Sequence, residues 1–209
     1  IFGKIAAAHA LSDCHAMGAR AHTALALAVV PYAALESMTE STLIDMMSGA
    51  SDILDEDGCE IVGGHTCEGA ELALGFSING FVDETSLLLR KSGGKVGDKI
   101  ILTKAIGTGA LFAADMRAKC NGTFVDEAIK SMTTSNGSTS RVAMKFVHER
   151  KSQEDRGVHA CTDVTGFGLV GHLLEMLMSN DNDDRMENIN ALLYLDSIPF
   201  FKGALEASY

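Results

Sequence analysis

Residues 22–30 read HTALALAVV, small, apolar and without a charged side chain, and Pro31 ends the run. Such a segment reads as a buried strand, which commits the chain to other elements that cover it. It is not a membrane span. The wider apolar stretch Ala21–Leu35 carries His22 and Thr23, is interrupted by Pro31, and falls short of the roughly 20 apolar residues that cross a bilayer as a helix.

The flanking sequence predicts that cover. Ile5, Ala8, Leu11 and Ala16 recur near helical spacing, and Gly18 is placed to end that helix, with Asp13 towards its end. A second helix is expected from Thr39 as N-cap, with Leu43, Met46, Met47, Ala50, Ile53 and Leu54 on one stripe and the acidic turn Asp55–Gly58 as its stop. Cys59–Val62 reads as a short strand running into a turn at Gly63 and Gly64, and Leu72–Val82 as a longer strand whose glycines mark bulges.

Gly93, Gly94 and Gly97 then punctuate a polar stretch, where a domain boundary is expected, giving domains of residues 1–92 and 93–209. Beyond it the pattern predicts a strand at Lys99–Thr103, a helix near Gly109–Ala118 and a longer helix near Val125–His148. It continues with a strand at Val158–Cys161, a helix at Leu169–Met178, an acidic loop at Asp181–Glu187 and a short strand at Leu192–Asp196.

Charge restricts the partners. Seventeen Lys plus Arg against 28 Asp plus Glu leave a formal charge of −11, which repels nucleic acid. A nucleotide stays compatible, because metal ions and backbone N–H groups neutralise phosphates without basic side chains. The five cysteines are odd in number and include no CxxC pair, so neither a disulfide framework nor a zinc ribbon is indicated and a reducing, cytoplasmic setting is expected.

Three segments carry candidate chemistry. Thr162-Asp163-Val164-Thr165-Gly166-Phe167-Gly168 lies between a predicted strand and an apolar helix, where the glycines permit a tight path and Thr165 can cap the helix. Asp163 there either meets a cation or is an ordinary solvated or capping acid. Asp13, amid small residues, is likewise either a ligand or an exposed acid near a helix end. Two acids distant in sequence are nevertheless what a magnesium–nucleotide site uses, since the ion takes a few carboxylates and completes its shell with phosphate and water. Gly63-Gly64-His65-Thr66 is read as a turn whose consecutive N–H groups cradle an anion, or as a plain glycine turn with a structural His65. No GxxxxGK[ST] is present, and Gly107-Thr108-Gly109 is too short to indicate a dinucleotide fold. Cys14 beside Asp13 reads as a buried thiol rather than a nucleophile, and Met46, Met47, Met176 and Met178 as core filling.

ALSDCHAMGAR at 10–20, IVGGHT at 61–66 and CTDVTGFGLVGH at 161–172, with VGDKIILTKAIGTGAL at 96–111, together resemble the selenophosphate synthetases (selenide, water dikinases). The resemblance implies an α+β, two-domain aminoimidazole ribonucleotide synthetase-like fold, with an ATP-binding and dimerisation domain at 1–92 and an α+β domain at 93–209, both partial. It implies conversion of ATP, selenide and water into selenophosphate, AMP and phosphate. Asp13 then corresponds to an aspartate that binds Mg2+ and contacts the nucleotide, and Asp163 to another magnesium ligand. Gly64, His65 and Thr66 correspond to a segment that contacts ATP across a homodimer.

The departures are as informative. The family's upstream glycine-rich segment, with its selenocysteine or cysteine and lysine, is not in this sequence, nor is its later DPxTSGG-type motif. The resemblance therefore implies a chain truncated at both ends that makes no selenophosphate by itself, and no catalytic residue is assigned in it. Related readings are another ATP-dependent enzyme of the same superfamily and a non-catalytic regulatory paralogue.

Overall fold

In the computed structural model, which describes residues 1–149, 157–178 and 189–208, the segment 22–30 is the middle of a three-stranded sheet. It belongs to β1 (Arg20–Pro31), which pairs in parallel with β2 (Glu60–Gly69) and antiparallel with β3 (Ala73–Phe81). Parallel neighbours need a crossover, and α2 (Glu36–Glu56) supplies it. With α1 (Phe2–Ala16), α2 covers one face of the sheet. Ala7, Ala8 and Leu11 of α1 pack with Ala50, Ile53 and Leu54 of α2 over Ala21 and Ala24 of β1. Leu11 and Leu54 are wholly buried, each contributing roughly 1.5–3 kcal/mol of transfer free energy.

The strand is therefore buried on one side only. Ala24, Ala26, Ala28 and Val30 face the helices, whereas Leu25 and Leu27, at 43% and 59% exposure, point the other way. Gly63, His65 and Cys67 of β2 pair opposite Leu25, Leu27 and Val29, so they share this open face with Ser77, Gly75 and Ala73 of β3.

Several expectations are revised. The first helix and its end at Gly18, which takes φ +69°, are as predicted. The second helix begins at Glu36, so Thr39 lies inside it rather than capping it. The glycine pair does not make a turn: β2 continues through Gly63–Thr66, because β1 offers a ladder partner at every one of those positions. The register slips between Ala24/Ile61 and Leu25/Gly63, leaving Val62 as the extra residue of a bulge.

The chain divides into two compact units, Ile1–Leu88 with Met132–Asp155 and Leu89–Ser131 with Arg156–Tyr209, in their described residues. The long helix expected at 125–148 is two, α4 (Gly122–Met132) and α5 (Gly137–Glu149). Polar residues at Thr133–Asn136 compete for the backbone: Ser135 Oγ accepts the Gly137 N–H at 3.0 Å, and the Asn136 carbonyl receives the Ser140 N–H.

Within the first unit, α5 is fastened by a buried anion. The Asp57 side chain is 5% exposed, accepts a hydrogen bond from Ser135 Oγ, and lies 3.5 Å from both His15 Nε2 and Arg141 Nη1. Ser140 Oγ also donates to the His15 carbonyl at 2.9 Å. Removing the carboxylate strands these donors, so Asp57→Ala is expected to cost on the order of 2–3 kcal/mol, discounted because Arg141 is largely exposed. Hydrogen exchange should localise the loss to α5, and an α5 as protected as in the parent would refute this role.

In the second unit, α3 (Thr108–Asp115), α4 and the short α7 (Ala204–Ala207) enclose Leu111, Ala128 and Ala204. The strands expected at 99–103, 158–161 and 192–196 do not form. Ile101 is 81% exposed and Leu195–Ser197 is a 3-10 turn. In residues 158–161 the Cys161 N–H donates to the Arg90 carbonyl and His159 Nδ1 meets the Asp98 carboxylate at 2.8 Å, and Ile106–Phe200 is an isolated bridge. The helix expected at 169–178 is α6 (Gly168–Met178), although Met178 is exposed rather than core. The acidic loop at 181–187 lies outside the described residues. Among the described residues no helix is long and apolar enough to cross a membrane.

Candidate functional site

Asp13 sits in the last turns of α1, exposed between buried Ser12 and Cys14, and its backbone carbonyl receives the Met17 N–H. Its charge makes the neighbouring thiol less reactive. Burial, and then Asp13, push the Cys14 thiol above its ordinary range, and burial with Cys14 and Asp57 pushes Cys59 up to about 11. Neither is a thiolate nucleophile near neutrality.

Gly64, His65 and Thr66 line a cavity of about 480 Å³ together with Leu43 and Met47 of α2 and Ala26 and Ala28 of β1. The backbone there is unusually close. Gly64 takes φ +154°, and a Cβ on it would stand 2.1 Å from the Ala26 carbonyl oxygen, so a side chain is excluded. Because this is a strand, successive N–H groups point alternately to β1 and away, so the expected nest of consecutive donors does not exist. As β2 is an edge of the sheet, half of its N–H groups still face outward. Alternation also separates the side chains: Thr66 pairs with Ala28 on the helix-covered face, His65 with Leu27 on the open one.

Asp163 is half-buried in the coil before α6, in the second unit. Thr162 Oγ1 donates to the Asp163 carbonyl at 3.2 Å, and the Gly168 N–H reaches the Thr165 carbonyl at 3.0 Å. Gly168 takes φ +72°, the tight path that the motif demanded. Thr165 does not cap the helix with its hydroxyl. Its N–H and Oγ1 both lie 3.1 Å from Nε2 of buried His172. His172 Nδ1 is 3.4 Å from Glu175 Oε2, and Glu175 is held by Lys91 Nζ at 3.0 Å, which keeps its carboxyl below the usual range. Sequence reasoning assigned His172 no role; the signal was the GH that follows TDVTGFG.

Among the described residues no three or more His, Cys, Asp or Glu side chains gather where a metal ion could be held. A closed structural site of the zinc type does not fit that donor set. A magnesium ion needs fewer protein donors, since it takes one or two carboxylates and fills its shell with water and phosphate oxygens; Asp13 is exposed in the first unit and Asp163 half-buried in the second.

The AIR synthase related protein N-terminal domain matches residues 1–82, and the C-terminal domain of the same family matches residues 95–183. The chain belongs to the AIR synthase related family. Within it, the resemblance is to the selenide, water dikinases. The relative from Trichlorobacter lovleyi is 36% identical over 205 residues, 98% of this chain and 53% of that protein. The one from Campylobacter jejuni strain RM1221 is 38% identical over 205 residues, 98% of this chain and 54% of its own length. The chain thus spans about half the length of the curated relatives it matches. The fold matches the thiamine-monophosphate kinase of Stenotrophomonas maltophilia with a TM-score of 0.75 at 20% identity, over 97% of this chain and 60% of that one.

Proposed function

We propose that the chain is the ATP-handling part of a selenide, water dikinase, which makes selenophosphate from selenide and water and releases AMP and phosphate. The observation that carries this reading is the cavity at Gly64–Thr66, in a chain whose curated relatives bear that name. Its size lies within the roughly 300–1,000 Å³ of small-molecule sites. Ala26, Ala28, Leu43 and Met47 suit a flat apolar base, and the Thr66 hydroxyl with outward N–H groups of β2 suits phosphate oxygens.

Asp13 and Asp163 are the carboxylates assigned to magnesium. When bound, the ion neutralises charge on the phosphate oxygens during transfer. The chain's own part is to present those carboxylates and to hold the nucleotide still. A homodimer with an ATP site shared between subunits is supported by the open sheet face, whose exposed Leu25 and Leu27 a second copy covers. The five cysteines are free thiols, in keeping with the cytoplasm.

Calorimetric titration of the full-length protein with ATP tests the reading. Binding should require magnesium and weaken by about tenfold or more in Thr66→Val, which loses a hydroxyl donor to a charged group at little change in shape. AMP should appear only when selenide is supplied. Magnesium-independent binding unaffected by Thr66→Val, or release of ADP alone, would exclude this chemistry.

A further inference from the structure

We infer that His172 is a positioning residue that fixes the loop carrying Asp163 in its metal-facing form; the inference rests on the magnesium role proposed for Asp163. A backbone N–H can only donate, so the 3.1 Å contact from Thr165 N requires a bare lone pair on His172 Nε2. The ring proton of the neutral imidazole then lies on Nδ1, which is buried 3.4 Å from Glu175 Oε2 without forming a hydrogen bond. Glu175 is itself anchored by Lys91. Lys91, Glu175, His172 and Thr165 thus form one line of contacts that ends two residues from Asp163.

Several features make this line more than incidental packing. His172 is the buried residue of α6, at 5% exposure, while Val170 and Leu174 of the same helix are exposed. Burying an imidazole in preference to those apolar neighbours is costly, and the contact at Nε2 is what offsets part of that cost. The ring of Phe167 stands tilted beside it, with centroids 5.8 Å apart. Thr165 is pinned from both sides, since its carbonyl receives the Gly168 N–H as its own N–H is held by the ring. A loop rich in glycine and otherwise free to sample many paths is thereby held to one, and ligands fixed by outer partners bind metal about 10–100-fold more tightly than loose ones.

The test compares His172→Phe, which keeps a ring but has no acceptor, with His172→Gln, whose amide oxygen can take the place of Nε2, and with Asp163→Asn. Two quantities are read on the full-length protein: exchange of the Thr165 amide, and affinity for Mn2+ in the presence of ATP by electron paramagnetic resonance. His172→Phe should speed exchange and weaken Mn2+ binding, each by about tenfold, while His172→Gln stays close to the parent. Equal effects of Phe and Gln, or a Thr165 amide indifferent to Phe, overturn the inference. If Asp163→Asn does not alter Mn2+ affinity, the magnesium reading fails and takes the inference with it; an Asp163 effect without a His172 effect sinks the inference alone. Should His172→Phe not fold, the imidazole 15N spectrum of the unsubstituted protein decides. An Nδ1–H tautomer for His172 supports the clamp, and an Nε2–H tautomer removes it.

Discussion

Asp163→Asn in the full-length protein is expected to lower selenide-dependent AMP release by at least about a thousandfold, and Asp13→Asn to do the same. Asparagine keeps the shape of aspartate and removes its charge. On the roles proposed above, a magnesium ion that relies on a carboxylate loses much of its hold when that charge goes, and stabilisation of transferring phosphoryl oxygens is worth several kcal/mol. At roughly 1.4 kcal/mol per tenfold, about 4 kcal/mol gives the stated factor. The fold should not follow. Asp13 is exposed, and the bond that fixes it, Met17 N–H to the Asp13 carbonyl, uses a backbone atom that asparagine retains. The melting curve of Asp13→Asn should therefore coincide with the parent within about 0.5 kcal/mol. A second marker is Cys161, whose thiol is pushed up first by burial and then by Asp163. Its alkylation should quicken only modestly in Asp163→Asn, since burial remains. Unchanged turnover in both variants would remove the metal roles.

What could be read from the sequence follows from where each signal originates. α1, β1 and α6 were legible because a period or an uncharged run is a property of one segment. A strand is a property of two. Residues 99–103 and 192–196 have the right apolar character, yet among the described residues they find no ladder partner and stay unpaired. The converse error occurred at Gly63 and Gly64, where glycine suggested a stop. The parallel ladder with β1 outweighed that propensity, and glycine is present because the Ala26 carbonyl comes so near. The break between α4 and α5 was hidden for a related reason. Ser135 lies in the break and accepts the Gly137 N–H at the start of α5 while its hydroxyl serves Asp57, 78 positions away in sequence, and no local window shows that partner.

The candidate site divides along the same line. Gly64 and Thr66 stand out in the sequence and do line a cavity, but two other residues of its lining, Leu43 and Met47, read there only as an apolar helix stripe. Met46, one residue earlier, is buried as expected. The 100° step between neighbouring helix positions turns one methionine into the core and the next towards the cavity. His172 was visible only as a letter in a motif, because its function is a contact seven residues back, at a distance that a helix alone does not bring together.

Gly3→Ala is expected to destabilise the first unit by about 3 kcal/mol, although helix propensity argues the reverse. Propensity favours alanine over glycine by at most about 1 kcal/mol, and less in a first turn such as this one. Against it stands a clash that cannot relax. A Cβ on Gly3 would lie 1.9 Å from the Met46 carbonyl oxygen and 2.9 Å from the Ala50 nitrogen, both backbone atoms of α2. Gly49 makes the matching approach, with its own Cβ position 3.8 Å from Gly3 Cα, so the two helices meet where neither carries a side chain. To admit a methyl the helices must separate, loosening the layer of Ala7, Ala50 and Leu54 that covers β1. Overpacking of this kind costs about 1–3 kcal/mol where side chains can yield, and the upper end applies where only backbone can move. Gly109→Ala is the control. Gly109 is exposed, likewise in the first turn of its helix α3, and has no neighbour within 4 Å, so there the propensity gain, below about 1 kcal/mol, should appear unopposed. Urea unfolding of the two variants should therefore move the midpoint in opposite directions; a Gly3→Ala protein as stable as the parent would mean that α1 and α2 do not cross as closely as this geometry requires.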